Sequence, residues 1–161
     1  MRLTMDEVVS RYQATLFRAA FAVCRCPSDA EDAVQDTLMR YLRNTTDFES
    51  EEHIKAWLLR VAMNRAYDLL RSPWRRKREN LEDMCREIPF TAPEDRDVLR
   101  AVLSLPRKYR QTVYLYYYEG YSVREIGSLL RARENTVKSW LARARRILKD
   151  TLREEWNDDE S

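Results

Sequence analysis

Apolar positions recur every three or four residues along most of this chain and nowhere alternate with polar ones over a strand-length run. That period belongs to amphipathic helices. A first stripe of Val8, Tyr12, Leu16, Ala19, Ala20 and Val23 predicts a helix opening near Met5 with one core-facing side. Pro27-Ser28 interrupts it, and Ser28-x-x-Glu31 has the form of a capping box. Ala30, Ala33, Val34, Leu38, Tyr41 and Leu42 make the next stripe, with Asp29, Asp32, Gln35, Asp36 and Arg40 on its outer side. Residues 44–52 read as a loop. A third helix is predicted from about His53 to Arg71, with Ile54, Trp57, Leu58, Val61, Ala62 and Leu69 inward. The period then lapses over a stretch with three prolines and a basic cluster, which reads as a flexible linker. It resumes near Glu94 with Val98, Val102 and Leu105. Pro106 opens a further helix that carries Val113, Tyr114, Tyr116, Tyr117 and Tyr118 and ends at Gly120, a left-handed C-cap. The tyrosines are expected to pack in the core and on the domain surface.

The segment 122–148 carries the most. Ser122-x-x-Glu125 is a second capping-box pattern, followed by an apolar face of Val123, Ile126, Leu129 and Leu130. Gly127 falls on the inner side, where the lack of a side chain lets a second helix cross closely. Asn135 is a favoured N-cap, and Val137, Trp140, Leu141, Ala144 and Leu148 form the stripe of the helix after it. The opposite face holds Lys138, Ser139, Arg143, Arg145, Arg146 and Lys149. Residues 122–150 have eight Lys/Arg against three Asp/Glu. Two short helices around a tight turn, the second one basic, are the build of a helix-turn-helix that lays its second helix in a DNA groove. A solvated cationic face is the plainer alternative for one basic helix alone; a capped partner helix directly upstream favours DNA.

With 44% hydrophobic residues, 35% charged residues, a mean hydropathy of −0.68 and only two glycines in 161 residues, the fold class is all-α, in two small helical domains joined by the linker. The expected division is 1–72 for the first domain, 73–93 for the linker, 94–152 for a four-helix domain ending in the helix-turn-helix, and 153–161 for a polar, fraying tail. No apolar run is long enough to cross a bilayer and the first residues lack a signal peptide's apolar core, so a cytoplasmic protein without membrane insertion of its own is expected. Cys24, Cys26 and Cys85 do not make a disulfide framework, and with the single His53 they make a poor zinc set. No cofactor or metal is expected. Without a nucleophile–base arrangement or a phosphate-binding glycine loop, neither is an enzyme. The net charge of +2 hides segregation: residues 28–52 hold eight acids and two bases, residues 71–80 five bases and one acid. Such a chain meets a basic partner and an acidic one on different surfaces.

Four segments occur in order: DAEDAVQDTLMRYL, AWLLRVAMNRAYDLLR, LPRKYRQTVYLYYYEGYSVREIGSLL and NTVKSWLARARRILK. Together they resemble the small, two-domain extracytoplasmic-function (ECF) group of bacterial RNA polymerase sigma factors. The resemblance runs from about Tyr12 to Leu152. It implies that Asp29, Asp32, Gln35, Asp36, Leu38 and Arg40 dock on core RNA polymerase. It implies that the loop from Asp47 and the helix after it read and open the promoter −10 element. There Asn64, Asp68 and Arg71 match an NxxxDxxR pattern on one helix face, and Asn64 is the first choice for a base contact. Lys55, Arg60 and Arg65 stand with them, and Arg71, Arg75 and Arg76 hold phosphates. Phe48 is either a loop aromatic at the strand or a hydrophobic plug, and Trp57 reads as core. At the −35 element the resemblance points to Arg133, Glu134, Asn135, Thr136, Lys138, Ser139, Arg143 and Arg146, with Arg124 on a phosphate. Arg131 and Asn135 stand where the family has glycine in the turn, and Trp140 where it has a polar residue. Trp140 packs on the preceding helix or on another protein. The resemblance further implies promoter DNA and an anti-sigma factor as partners. The alternative is a free-standing helix-turn-helix regulator with a helical N-terminal sensor or dimerisation domain, which predicts a symmetric dimer site on duplex DNA.

Overall fold

In a computed structural model the chain divides into two compact units, Met1–Arg78 and Glu79–Ser161. The structure describes residues 1–72 and 96–160, with backbone alone at 96 and 154–160. The predicted linker 73–93, with Arg75, Arg76 and Cys85, lies outside the described residues. Among those that are described there are seven α-helices, one π-helical turn and no strand, the all-α class expected.

In the first unit, α1 (Met5–Cys24), α2 (Pro27–Arg43) and α3 (Glu51–Arg71) pack on one another. Thr4 caps α1 through a box the sequence reading did not single out: its hydroxyl accepts from the Glu7 N–H while its own N–H donates to the Glu7 carboxylate, both at 3.2 Å. The chain leaves α1 through Arg25 in the left-handed region, at φ 53°. The Ser28–Glu31 capping box does not form. Cys26 is the N-cap and Pro27 takes the first helical position, where its fixed φ suits the helix and its missing N–H would have had no partner. Ser28 is thereby drawn inside the helix. α3 starts two residues earlier than His53, because Ser50 caps it by accepting from the His53 N–H at 3.1 Å.

Small side chains let these helices approach closely. Ala19, Ala20, Ala30, Ala33, Ala62 and Ala66 are all fully buried beside Leu16, Ile54 and Leu58. Several expected core positions differ. Leu42 is 56% exposed, since the true stripe of α2 runs through Ala30, Ala33, Val34, Thr37 and Tyr41 and leaves position 42 about 100° to one side. Thr37 is buried in its place, its hydroxyl donating to the Ala33 carbonyl at 2.7 Å. In α3 the buried arc is Ile54, Leu58, Leu59, Ala62, Met63 and Ala66; α1 and α2 cover it from two sides, so Trp57, Val61 and Leu69 are half-buried at its margin.

The second unit contains α4 (Arg96–Leu103), α5 (Arg107–Val113), a π-helical turn (Tyr114–Tyr118), α6 (Val123–Leu130) and α7 (Glu134–Glu160). Its core gathers Val102, Leu105, Val113, Leu115, Ile126, Leu129, Val137, Leu141 and Ala144. Val98, expected inward, is 40% exposed. The buried Arg110 guanidinium donates to the Leu105 carbonyl at 2.8 Å and closes the α4–α5 turn. In the π turn the Glu119 N–H reaches back five residues to the Tyr114 carbonyl, at 3.3 Å. Tyr114 and Leu115 stay inside, Tyr117 and Tyr118 stand out, and Gly120 follows at φ 73°. α7 continues as helix to Glu160.

Candidate nucleic-acid and protein interfaces

The residues expected on polymerase lie along the outer side of α2. Asp32, Gln35 and Arg40 are exposed, while Asp29, Asp36 and Leu38 are half-buried. Asp36 does not stand alone. Its carboxylate accepts from the Arg65 guanidinium of α3 at 2.5 Å, so a residue expected on protein and one expected on DNA hold each other. Met39, 47% exposed, and Leu42 add an apolar strip beside Gln35 that the sequence reading missed. The available signal was register: neither residue falls on the 3.6-residue line through Ala30, Ala33, Val34, Thr37 and Tyr41.

On α3, Asn64, Asp68 and Arg71 share one exposed face. Asp68 and Arg71 pair at 3.1 Å, and the Arg71 guanidinium lies 4.6 Å from the Tyr67 ring centre. Lys55 and Arg60 are half-buried on the same helix. The loop 44–50 before α3 is tied down from within. Asn44 accepts from the Thr46 N–H at 2.6 Å, and the Glu49 N–H donates to His53 Nδ1 at 3.1 Å. Of the two readings of Phe48, the structure places it as the plug. The ring is 1% exposed and packs against His53, Trp57 and Tyr41 at 5.1, 5.8 and 6.0 Å between centres. A side chain this deep stacks on a base only by leaving the core, which costs about 2–3 kcal/mol of apolar burial. The Tyr41 hydroxyl fixes the floor of this cluster by accepting from the Leu3 N–H at 2.9 Å and donating to the Leu3 carbonyl at 2.7 Å.

A second tie joins α1 to α3. Tyr12 donates to the Glu51 carboxylate at 2.7 Å and Arg11 pairs with it at 2.9 Å. Burial and the anionic partner push the Tyr12 hydroxyl up to about 12, and the bonds from Tyr12 and Arg11 hold Glu51 below the usual carboxylate range.

The helix-turn-helix is α6 and α7. Ser122 and Glu125 form their capping box, with the Glu125 N–H on the Ser122 hydroxyl at 3.1 Å and the Ser122 N–H on the Glu125 carboxylate at 3.0 Å. The turn passes through Arg131 in the left-handed region, at φ 55°. Asn135 is not the N-cap: α7 begins at Glu134, with the Val137 N–H on the Arg133 carbonyl at 3.0 Å. The left-handed position thus falls to a non-glycine residue, at a cost of about 1–2 kcal/mol, and Gly127 allows it. A Cβ at Gly127 would lie 2.6 Å from the Ala132 carbonyl oxygen, whose N–H donates back to Gly127 at 2.9 Å. Val137, Leu141 and Ala144 seat α7 on the core. Arg124 on α6 is exposed, as are Arg133, Glu134, Asn135, Lys138, Ser139, Arg143 and Arg146 on and just before α7, with Thr136 half-buried. Lys138 pairs with Glu134 at 3.8 Å. Trp140 is half-buried, with the Lys108 ammonium of α5 over its ring at 5.8 Å.

Cys24 and Cys26 are free thiols. Burial pushes Cys24 up to about 12, away from thiolate chemistry. Among the described residues no group of three His, Cys, Asp or Glu could hold a metal ion, and no helix is long and apolar enough to cross a membrane.

These surfaces coincide with two family models, Sigma-70 region 2 over residues 8–76 and Sigma-70 region 4 over residues 95–148. The chain is 32% identical over 146 residues to the ECF RNA polymerase sigma factor SigM of Mycobacterium tuberculosis (strain H37Rv), across 89% of this chain and 74% of that one. It is 28% identical over 167 residues to the ECF RNA polymerase sigma factor SigM of Bacillus subtilis (strain 168), across 98% and 100%. Its fold is like that of the sigma factor RpoE solved with the anti-sigma factor NepR from Bartonella quintana, with a TM-score of 0.71 at 23% identity over 92% of this chain and 96% of that one. CnrH, solved with the cytosolic domain of CnrY, gives a TM-score of 0.67 at 26% identity over 92% and 86%. With both regions matched in order and nearly its whole length aligned to these relatives, the chain belongs to the extracytoplasmic-function RNA polymerase sigma factors, which direct promoter-specific transcription initiation.

Proposed function

We propose that the outer face of α2 docks this sigma factor on core RNA polymerase, that α3 with its preceding loop reads and opens the −10 element, and that α6–α7 reads the −35 element as duplex. The observation that carries the reading is the segregation of charge over exposed faces. An acidic face on α2 suits a basic protein surface, and a basic face on α7 suits phosphate. Asn64 presents its amide to one unpaired base, as a group that both donates and accepts, with Arg71 on the adjoining phosphate. Around α7, Asn135 and Ser139 face the major groove and Arg124, Arg133, Lys138, Arg143 and Arg146 its phosphates. Arg65 is released to DNA only when Asp36 takes a polymerase partner instead. The Met39–Leu42 strip adds an apolar contact beside the acids.

An anti-sigma factor fits the same surfaces; the related fold of RpoE is solved with one. A free-standing regulator has no use for a Sigma-70 region 2. Run-off transcription with purified core polymerase on a genomic fragment library tests the function, and promoter-specific transcripts appear only with the protein present. Asn64→Ala lowers those transcripts at unchanged core binding. A variant that transcribes normally, or that no longer binds core, refutes the placement of Asn64.

A further inference from the structure

Three cations beside the recognition helix are held by aromatic side chains and not by acids. Lys108 of α5 lies over the Trp140 ring at 5.8 Å. Arg143 of α7 donates to the Tyr109 hydroxyl at 3.5 Å. Arg145 donates to the Tyr117 hydroxyl at 2.6 Å, its guanidinium over the rings of Tyr116 and Tyr117 at 5.5 and 5.7 Å. All three cations are exposed. Among the described residues none of them pairs with a carboxylate, whereas Lys138 on the same helix is partly neutralised by Glu134. A phenol or an indole restricts a cation without cancelling its charge, so these three present full charges at low conformational freedom.

Their placement around α7 is also particular. Val137, Leu141 and Ala144 face the core. At about 100° per residue, Arg143 and Arg145 lie about 200° apart and straddle the helix on opposite flanks. Lys108 extends the Arg143 flank through Trp140. A helix in the major groove has one phosphate backbone on each side.

We propose that Lys108 and Arg143 on one flank of α7 and Arg145 on the other form a two-sided phosphate clamp on duplex DNA, with Trp140, Tyr109 and Tyr117 as positioning residues. The clamp rests on the −35 reading above and adds to it Lys108 and Arg145, which that reading does not name. It also gives roles to two features with no other use: the tryptophan in a place the family keeps polar, and the π turn that brings Tyr117 to the flank of α7.

The test measures binding of the full chain to two labelled duplexes over a range of salt. One is the −35 segment of a promoter recovered by run-off transcription; the other is a scrambled duplex of equal length and composition. Lys108→Gln and Arg145→Gln each lower the slope of log affinity against log salt by about 0.9, and weaken both duplexes alike, by roughly eightfold at 0.1 M salt. Tyr117→Phe and Trp140→Leu keep the charge, so they leave the slope and weaken binding by about two- to fivefold, and Trp140→Phe restores most of the loss. Thermal unfolding of each variant separates this from a folding defect. An unchanged slope in both glutamine variants overturns the clamp, and so does a loss confined to the promoter duplex. A wild-type chain that binds neither duplex overturns the −35 reading and the clamp with it, before any variant is made.

Discussion

Replacing Gly127 by alanine sets two effects of known sign against each other. In an exposed helix the exchange stabilises by about 1 kcal/mol, because alanine loses less backbone freedom on folding. At this site the new Cβ would stand 2.6 Å from the Ala132 carbonyl oxygen, 3.7 Å from its carbon and 3.8 Å from the Glu134 nitrogen. The atom in the way is backbone, so no side-chain rotation relieves it. The turn must move outward, and that turn already holds Arg131 left-handed and is closed by the Ala132 N–H on Gly127. Overpacking of this kind costs about 1–3 kcal/mol. The net expectation is a loss of up to about 2 kcal/mol, opposite in sign to the propensity rule. For a domain of this size, 1 kcal/mol moves the thermal midpoint by about 4–8 °C. A shifted turn also re-aims α7, so −35 binding should fall by more than the stability loss alone requires. Circular dichroism melting of the full chain reads the first effect and run-off transcription the second. A midpoint that rises by several degrees with transcription intact refutes the reasoning, since it means the turn yields at no cost.

Two further predictions test the first unit. Phe48→Ala should lower unfolding free energy by about 3–5 kcal/mol in urea denaturation, as expected when a buried ring packed on three aromatics is removed; an unchanged midpoint would mean that the ring is not part of the core. Glu51 titrates below its ordinary value in the folded chain, chiefly through the Tyr12 hydrogen bond and then Arg11. A depressed carboxylate contributes stability that is present above the unfolded value, about 4.3, and is lost as pH falls through the folded one. The advantage of the wild type over Glu51→Gln should therefore be full at pH 6–7 and shrink towards pH 3, followed by thermal melts across that range; a gap that stays constant would sink the assignment.

The helices and their order were legible from the chain alone, because a 3.6-residue apolar period is a local property. So was the Ser122–Glu125 cap, which needs four consecutive residues. The exposure of Asn64, Asp68, Arg71 and the polar face of α7 followed from the same period. The errors lie where two local signals compete. Pro27 displaced Ser28 as a helix start, and Arg133–Glu134 opened α7 ahead of Asn135.

What only the tertiary structure decided involves residues far apart in the chain. Whether Phe48 faces solvent depends on Tyr41 and Trp57 meeting beneath the loop. That the Arg65 guanidinium donates to the Asp36 carboxylate, 29 positions away, follows from how α2 lies on α3. Leu42 and Val98 belong to apolar stripes by composition, yet they stand 56% and 40% exposed. Lys108 finds Trp140, and Arg145 finds Tyr117, only because α5 and its π turn pack along α7. Periodicity sets which side of a helix is apolar; the distance and angle to its neighbours set which of those residues are buried and which charged groups meet.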